Sequence, residues 1–500
     1  MKKTNSQIWE RLYRGMIYVL PAALYFSYYP LIHFGSDESM NFEISLPLIW
    51  LVLFDVLSFG MMIKNKPLFR KFGRKWLWLL FPVYLTISLC WSANLTRGIL
   101  TAGIMWLIYF AGFAMYSLRD LFKREECKEK FWKWFFGATL FVCGWCLIQC
   151  ILDLAGVGRE YTLMCAGCTY QMFGFPHPNG FAIEPQFMGN LLIAPTIISG
   201  WLMLRSWPRP AGPSSRAAGT NSRAVALRKA VSLKHYVILF FVFTSALFLT
   251  FSRGAIYAFV VGMVFTTVVC SPKHLTRGAL KAVRSSLWSR VKCFRALIAV
   301  WVIIAFSFVF VLNIQGVMAQ VSKTNDTYMT GISKVLNHLS LGIIDINDRG
   351  ELPVENSVDN SEDDLAEEAV FDGYVAESTD TRLRLTDEAI SIWRKDFKTM
   401  MFGVGLGGAG QALYDDGYSV SAKEIIQNEY VSLLLEAGLI GVVLLILTLV
   451  LIIKHLIRTQ NNLMVLALLV GYGVSLCFFS GFANGLHIYL LPIAFSVIKK

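Results

Sequence analysis

The sequence predicts an all-α, polytopic membrane protein with about 12 transmembrane helices and one large extracytoplasmic loop. Three observations support this fold class. The chain of 500 residues is 55% hydrophobic. Only 16% of its residues are charged, whereas a soluble domain is about a quarter charged. Apolar runs of about 17–25 residues recur along the chain, and each is long enough to cross about 30 Å of hydrocarbon.

The predicted spans follow one another from the N-terminus to the C-terminus. The basic N-terminal segment leads into an apolar run without a small-residue cleavage site, which predicts an uncleaved first helix rather than a signal peptide. The spans are expected to begin near Met16, Phe42, Trp76, Ile99, Phe131, Phe187, Tyr236, Gly254, Ala296, Val431, Leu463 and Gly485.

Basic residues are concentrated in alternate loops. The segments after the second, fourth, sixth, eighth and tenth spans are rich in Lys and Arg, and Lys499-Lys500 end the sequence. Because such residues gather on the cytoplasmic side of a membrane, both termini are predicted to be cytoplasmic. The net charge of +12 is therefore explained by the basic loops that orient the chain in the lipid bilayer, and no nucleic-acid partner is expected.

The pattern divides the chain into three predicted regions. Residues 1–314 carry helices 1 to 9 with their basic cytoplasmic loops, residues 315–430 form the extracytoplasmic loop, and residues 431–500 carry helices 10 to 12. The middle of the loop, residues 345–380, is acidic and poor in aromatic residues, which is typical of a solvated, mobile insertion. It lacks an EF-hand pattern, so no metal site is predicted.

The cysteines give little information about the site. Most of them lie inside apolar runs, where cysteine behaves as a small hydrophobic residue. Cys165 and Cys168 lie two residues apart from each other in an outward loop. A local disulfide and two free thiols both remain open for this pair.

Arg253 is the first candidate for chemistry. It lies in Ser252-Arg253-Gly254, a very short connection between the seventh and eighth spans, on the outward side. An arginine in an apolar region costs about 2.5–3.5 kcal/mol on insertion scales, so it either has a function or reaches to lipid phosphate. Because the chain places its other basic residues inside, we favour anion binding for Arg253.

The segment Thr381–Met401 predicts an amphipathic helix on the outer surface. With residues placed at 100° steps, Arg382 falls in the middle of the apolar face near the helix start. A charge that points at the helix bundle needs a partner, and phosphate suits a guanidinium because its oxygens accept two parallel hydrogen bonds. Fraying of Arg382 out of the first turn is the alternative. Arg384 and Glu388 are four residues apart on the wet face and predict a surface pair.

A glycine-rich stretch follows this helix, from Gly403 to Gly410. It contains a formal GxGxxG pattern, but no strand precedes it, so a dinucleotide site is not predicted. Glycine lets the backbone approach another group closely. We expect Gly405 to lie against either a substrate or a neighbouring helix.

The start of the tenth span carries polar residues at its outer end. Gln427 and Asn428 precede the helix, where backbone N–H groups and the helix dipole favour anions. Glu436 lies two turns deeper, and a buried carboxyl is either protonated or paired. Arg253 is a candidate partner for Glu436.

A further outward segment precedes the sixth span and reads FGFPHPNGFAIEPQFMGN. His177 and Glu184 are its titratable side chains. Either of them can accept a proton in a reaction at this surface. A plain structural role in the loop remains open for His177.

These motifs together resemble the O-antigen ligase/polymerase superfamily. The resemblance covers roughly Pro176–Gly441 and rests on SRG between two spans, RLRL and FGVGLG in the large outer loop, and QNEYVSLLLEAGLIG at a helix start. Members of this superfamily are bacterial inner-membrane proteins that transfer glycans from undecaprenyl-pyrophosphate carriers on the outer face. The resemblance therefore implies a multi-pass protein of the bacterial plasma membrane, and a lipid-linked donor.

The resemblance also implies roles for individual residues. Outward arginines of the family are held to engage the pyrophosphate, and Arg253 and Arg382 match them. Ligases of the family carry a histidine directly before the asparagine of the NxY motif. This chain has Gln427 there, which cannot act as a general base. The base stays open among Glu184, Glu429, Glu436 and His177.

The expected activity is that of a cell-surface polysaccharide polymerase or glycosyl transferase, with no cofactor. Its expected partners are undecaprenyl-pyrophosphate-linked glycan, an acceptor that is a glycan, lipid or protein, and the lipid bilayer. A ligase that attaches finished glycan to a lipid or protein acceptor is the alternative, and a flippase of lipid-linked glycan is the rival from another class. The residues expected to act in catalysis are Arg253, Arg382, Glu184, Gln427 and Glu436. The residues expected to bind substrate are Arg384, Asn428, Glu429, His177 and Gly405.

Overall fold

A computed structural model describes most of the chain and divides it into two compact units. The described residues are 2–26, 30–34, 42–64, 77–164, 177–182, 184–207, 221–270, 287–321, 327–340, 344, 381–458, 463–479 and 485–498. Unit 1 comprises Met1–Ala138 and Ser378–Lys500, and unit 2 comprises Thr139–Glu377. The predicted acidic insertion at 345–380 and the pair Cys165 and Cys168 lie outside the described residues.

Unit 1 consists of helices from both ends of the chain. Its elements are α1 (Lys2–Tyr25), β1 (Pro30–Phe34), β2 (Phe42–Ser45), α2 (Leu46–Lys64), α3 (Leu80–Ile87), the 3-10 turn Ser88–Trp91, α4 (Leu95–Ser117), the 3-10 turn Arg119–Phe122 and the first half of α5 (Glu125–Leu154).

The second half of α5 belongs to unit 2, because the boundary falls inside this helix. Unit 2 continues with the one-turn helix Arg159–Thr162, α6 (Pro185–Ser206), α7 (Asn221–Leu249), α8 (Arg253–Cys270), α9 (Leu287–Val321) and α10 (Tyr328–Leu339). The chain then returns to unit 1 with α11 (residues 381–393), α12 (Phe397–Phe402), α13 (Ala409–Asp415), α14 (Glu429–Arg458), α15 (Leu463–Ser475) and α16 (Leu486–Val497).

The predicted fold class is confirmed. Within the described residues, seven helices are long and apolar enough to cross a membrane, and four shorter apolar helices lie at Leu77–Trp91, Arg253–Val269, Leu463–Ser475 and Leu486–Val497. Together with α1, these helices meet every predicted span. The protein is thus an all-α polytopic membrane protein.

Two local predictions were wrong. The second span begins at Leu46 rather than Phe42, because Phe42-Glu43-Ile44-Ser45 alternates apolar and polar residues and pairs as a strand with β1. The predicted single helix at 381–401 is two helices. It ends at Trp393, and α12 starts after Asp396, whose Oδ1 accepts the backbone N–H of Thr399 at 2.7 Å.

Helix α6 is the centre of unit 2. Almost all of its residues are buried, because α7 and α8 pack against it. Two glycines permit the close approach. A Cβ on Gly200 would lie 2.8 Å from Met263 Cε, and a Cβ on Gly189 would lie 2.7 Å from Ser252 Cβ. The position of α6 therefore fixes the connection between α7 and α8.

Candidate functional site

The connection that precedes Arg253 is short, buried and strained. Helix α7 ends at Leu249 and α8 begins at Arg253, so only Thr250, Phe251 and Ser252 join them. All three are buried, and Phe251 has a φ of 47°. A non-glycine residue in this left-handed region is strained by about 1–3 kcal/mol and persists only where its surroundings hold it. Arg253 is partly buried at the start of α8. Its backbone position is fixed because the connection before it is held in place.

Two buried histidines hold the carbonyls of this connection. His177 Nε2 contacts the Thr250 carbonyl oxygen, and His338 Nε2 lies 3.2 Å from the Phe251 carbonyl oxygen. Both rings are at most 4% exposed. Because a carbonyl oxygen only accepts hydrogen bonds, each Nε2 carries the proton. The two rings come from separate elements, the loop before α6 and helix α10.

The loop that carries His177 is itself well anchored. The Gln149 side chain donates to the carbonyl oxygens of Thr162 and Gly180, each at 2.9 Å, and accepts the N–H of Gly180 at 2.8 Å. Glu184 is the residue before α6, where its carbonyl oxygen accepts the N–H of Phe187 at 3.1 Å. Glu184 is partly exposed. Proton transfer by His177 or Glu184 stays a prediction. The geometry shows that His177 contacts the connection of residues 250–252, which together with Arg253 is called the Arg253 turn.

The glycine-rich stretch of unit 1 fills a break in helix α14. Gly438 has φ 63° and ψ −172°, which interrupts the helix. The N–H groups of Val404 and Gly405 donate to the carbonyl oxygens of Leu435 and Glu436, each at 2.9 Å. Non-helical backbone at membrane depth has to be satisfied inside the protein. The glycine loop (residues 403–408) supplies these bonds.

The other side of the glycine loop packs against the turn that starts α4. Ser88 Oγ accepts the N–H of Leu406 at 3.1 Å, and Ser92 Oγ donates to the Leu406 carbonyl oxygen at 2.8 Å. A Cβ on Gly405 would lie 2.4 Å from Ser92 Cα. Gly405 therefore lies against protein backbone, which is one of the two expected close approaches. Its contact with substrate stays a prediction.

Glu436 faces this loop from the last turn before the break. The residue is partly buried, and Ala409 N–H points at its Oε1 over 3.4 Å. Its carboxyl also interacts with the N–H of Gly407 and with the charge of Arg97. Arg97 is a cation that our sequence analysis missed. The signal for it was Thr96-Arg97-Gly98 at the start of an apolar helix, which repeats the pattern of Ser252-Arg253-Gly254.

The N-terminal end of α14 is capped by Asn428. Its Oδ1 accepts the N–H groups of Tyr430 at 3.1 Å and Val431 at 3.3 Å. The N–H of Glu429 donates to the Leu476 carbonyl oxygen at 2.9 Å. Gln427, one residue before the cap, is exposed. The amide of Gln427 is therefore presented at the helix start, as the sequence predicts.

The two loop arginines differ in their environment. Arg382 is partly buried near the start of α11, whereas Arg384 is exposed and pairs with Glu388 at 3.3 Å. The face of α11 that packs on the rest of unit 1 contains Leu385 and Ala389, which are buried. Arg384 therefore makes the predicted surface pair. Such exposed pairs contribute little stability.

A pH prediction follows from the cap of α12. The pKa of Asp396 is lowered because its carboxylate accepts the backbone N–H and the hydroxyl of Thr399. The cap is therefore fully present above the unfolded pKa of about 3.9 and is lost as pH falls through the lower folded value. We expect hydrogen exchange of residues 397–402 to lose protection in that acid range. Asp396→Asn, which caps without titrating, should remove this pH dependence; an equal dependence in both proteins would contradict the assignment.

The predicted site residues fall into two groups. Unit 2 contains Arg253 and His177 at the connection between α7 and α8, and Glu184 directly before α6. Unit 1 contains a second group around the broken helix α14 and the loop helices. The members of this second group are Arg382, Arg384, Gly405, Gln427, Asn428, Glu429 and Glu436.

The fold and these groups define a class of protein, a polytopic α-helical membrane protein with arginines and carboxyls at helix ends. Residues 238–446 match the family model of the O-antigen ligases. This segment of the chain is therefore similar to the O-antigen ligases. No curated protein matches the chain. The matched segment contains Arg253, Arg382, Gln427 and Glu436 and begins after His177 and Arg97. This match supports an O-antigen ligase/polymerase-type membrane enzyme.

Proposed function

We propose that the protein polymerises cell-surface polysaccharide, using undecaprenyl-pyrophosphate-linked glycan at the outer face of the bacterial plasma membrane. The observation that carries the proposal is the Arg253 turn. A buried, strained connection held by two histidines presents an arginine at the start of a membrane helix. Strain of this kind is concentrated at active sites. An arginine whose backbone position is fixed can use its guanidinium to stabilise charge that develops on a phosphate leaving group.

The reaction needs no cofactor because the donor is already activated. A hydroxyl oxygen of the acceptor glycan attacks the anomeric carbon of the donor. The new C–O bond forms as the bond from that carbon to the pyrophosphate breaks, and its electron pair leaves with the pyrophosphate. The hydroxyl proton passes to a base. Arg253 stabilises the growing negative charge of the leaving group.

Polymerisation is favoured over ligation by the residue at the start of α14. The NxY motif of family ligases is preceded by a histidine, whereas Gln427 is exposed there. An amide can orient a hydroxyl but cannot accept its proton at neutral pH. The candidate bases of this chain are Glu184, Glu429, Glu436 and His177.

The flippase alternative gains one observation. A flippase is expected to have polar groups within its spans, and α2 contains Asp55, which is only 5% exposed. Its carboxyl interacts electrostatically with Tyr13 of α1. A buried carboxyl such as that of Asp55 does not by itself provide a path for a glycan, so the enzyme remains the proposal.

Gene deletion followed by gel analysis of surface glycan tests the proposed function. A polymerase predicts single repeat units on the normal anchor and long chains after complementation. Long chains that stay on the lipid carrier would indicate a ligase. Units trapped on the cytoplasmic side would indicate a flippase. Either of the last two outcomes would overturn polymerisation.

The histidines that hold the Arg253 turn provide a further prediction. We expect His338→Leu to lower polymer formation more than it lowers the amount of protein in the membrane. The Phe251 carbonyl would lose its donor, and a buried unpaired polar group costs about 1–3 kcal/mol. His338→Gln, whose side-chain amide can donate, should recover part of the activity. Activity per unit of membrane protein and the thermal unfolding midpoint are measured together. Equal activity of the Leu and Gln variants would contradict this positioning role.

A further inference from the structure

We propose that Arg97 binds a phosphate oxyanion beside the glycine loop of unit 1. The identity of the phosphate carrier rests on the proposed function, whereas binding itself can be tested without it. Arg97 is the third residue of α4, close to the glycine loop and to Glu436. It lies outside the segment that matches the O-antigen ligase family.

The guanidinium of Arg97 is partly buried but makes no hydrogen bond or salt bridge to any described residue. Its backbone is satisfied, because the N–H donates to Asn94 Oδ1 at 3.0 Å and the carbonyl accepts Thr101 Oγ1 at 2.9 Å. Nη1 lies 3.2 Å from the point that a Cβ on Gly410 would occupy. The cation therefore packs on the backbone of α13, where it is partly removed from water and gains from an anion.

Glu436 is a nearby carboxyl group, but it does not accept a hydrogen bond from the guanidinium of Arg97. The two side chains interact electrostatically but form no salt bridge, and Glu436 Oε1 faces the N–H of Ala409. A guanidinium has five N–H donors in a fixed fork. Those donors match two oxygens of a phosphate, which a single distant carboxyl does not replace.

Anchoring to the cytoplasmic leaflet does not explain this arginine. The basic loops of the chain are expected inside, whereas the start of α4 is expected at the opposite end of its span. Arg119, just after the other end of α4, is exposed and stacks over Tyr116 at 4.2 Å. Arg97 instead packs beside the glycine loop, against which the backbone of its neighbour Gly98 also lies. A partly buried arginine that packs on protein backbone at the outward end of a span is suited to a phosphate.

Two carriers offer this chemistry, the pyrophosphate of a polyprenyl donor and the phosphate of a lipid headgroup. Both present oxyanions at the level of the membrane interface. Affinity for one carrier over the other distinguishes them. If the carrier is the polyprenyl donor, the protein should bind undecaprenyl pyrophosphate more tightly than phosphatidylglycerol.

The test measures binding of undecaprenyl pyrophosphate to the full chain in phosphatidylcholine nanodiscs, with undecaprenol as the lipid that lacks phosphate. Arg97→Ala is expected to raise Kd at least about tenfold, or about 1.4 kcal/mol. Arg97→Lys should be intermediate, because an ammonium cannot make the bidentate contact. Arg119→Ala is the matched control and should bind as the wild type does. Unfolding midpoints confirm that each variant is folded.

Four comparisons decide the outcome. Wild-type affinity in both Arg97→Ala and Arg97→Gln would overturn the site. Displacement by phosphatidylglycerol at equal concentration would retain the phosphate site and assign it to headgroups. Glu436→Gln should tighten binding, because it removes a negative charge next to the oxyanion. Weaker binding in that variant would contradict the proposal that Glu436 and the phosphate both interact with Arg97. Loss of binding in Arg253→Ala with retention in Arg97→Ala would reject the Arg97 site and leave the proposed function standing.

Discussion

Arg253→Ala is expected to abolish polymer formation while the protein remains in the membrane. The residue starts α8 from a connection held by His177 and His338, so its replacement removes a positive charge from a defined position. Removal of one fixed electrostatic donor from a transition state lowers a rate by about 100- to 1,000-fold. Polymer is measured on gels of surface glycan, and protein by immunoblot of isolated membranes.

The same unit offers a matched control for Arg253. Arg205 is exposed in the last turn of α6, and Arg205→Ala should leave polymer unchanged. Arg253→Lys should retain part of the activity, because a lysine keeps the charge but not the bidentate geometry. Polymer of wild-type amount and length in Arg253→Ala would remove Arg253 from the reaction.

Gly403→Ala is expected to have the largest effect on stability. Gly403 has φ 72° and ψ −175°, a region that only glycine adopts readily. A Cβ there would lie 2.3 Å from the Glu436 carbonyl oxygen and 2.6 Å from that of Leu435. These are the two acceptors that the glycine loop satisfies, and backbone atoms cannot rotate away. Conformational strain and overpacking together should lower the free energy of unfolding by about 2–4 kcal/mol.

Two other glycines separate the causes of this effect. Gly417 has φ 77° but nothing within 4 Å of an added Cβ, so Gly417→Ala tests backbone conformation alone. Gly103 lies within α4 and is also uncrowded, so Gly103→Ala should be neutral or stabilising. Thermal unfolding of the purified variants is the measurement. A Gly403→Ala midpoint equal to that of Gly417→Ala would show that contact with the broken helix contributes nothing.

The arginines show how far sequence patterns reached. Arg253 was found because a charge between two apolar runs is visible in hydropathy, and the structure places it at the strained start of α8. Arg97 has the same local pattern, but one arginine after an asparagine cap is not distinctive by itself. Its importance depends on Glu436 and on the glycine loop, which lie more than three hundred residues away in sequence.

The histidines show a second limit. His177 was noted for its proton chemistry, and His338 was not noted at all. The structure gives both rings the same task, because each Nε2 faces a carbonyl oxygen of the Arg253 connection. A histidine on an amphipathic helix carries no sequence signal for the backbone group that it contacts.

The sequence by itself determined that this is an all-α membrane protein, where its helices lie along the chain and which family its residues 238–446 resemble. These properties depend on hydrophobicity over one span and on short motifs, which are local. Only the tertiary structure decided that α14 is broken at Gly438 and that the glycine loop completes it. The glycine loop that satisfies the break is itself held by a hydrogen bond between Ser92 and Leu406, which are 314 positions apart in sequence. One non-helical residue also leaves the hydropathy of a span unchanged.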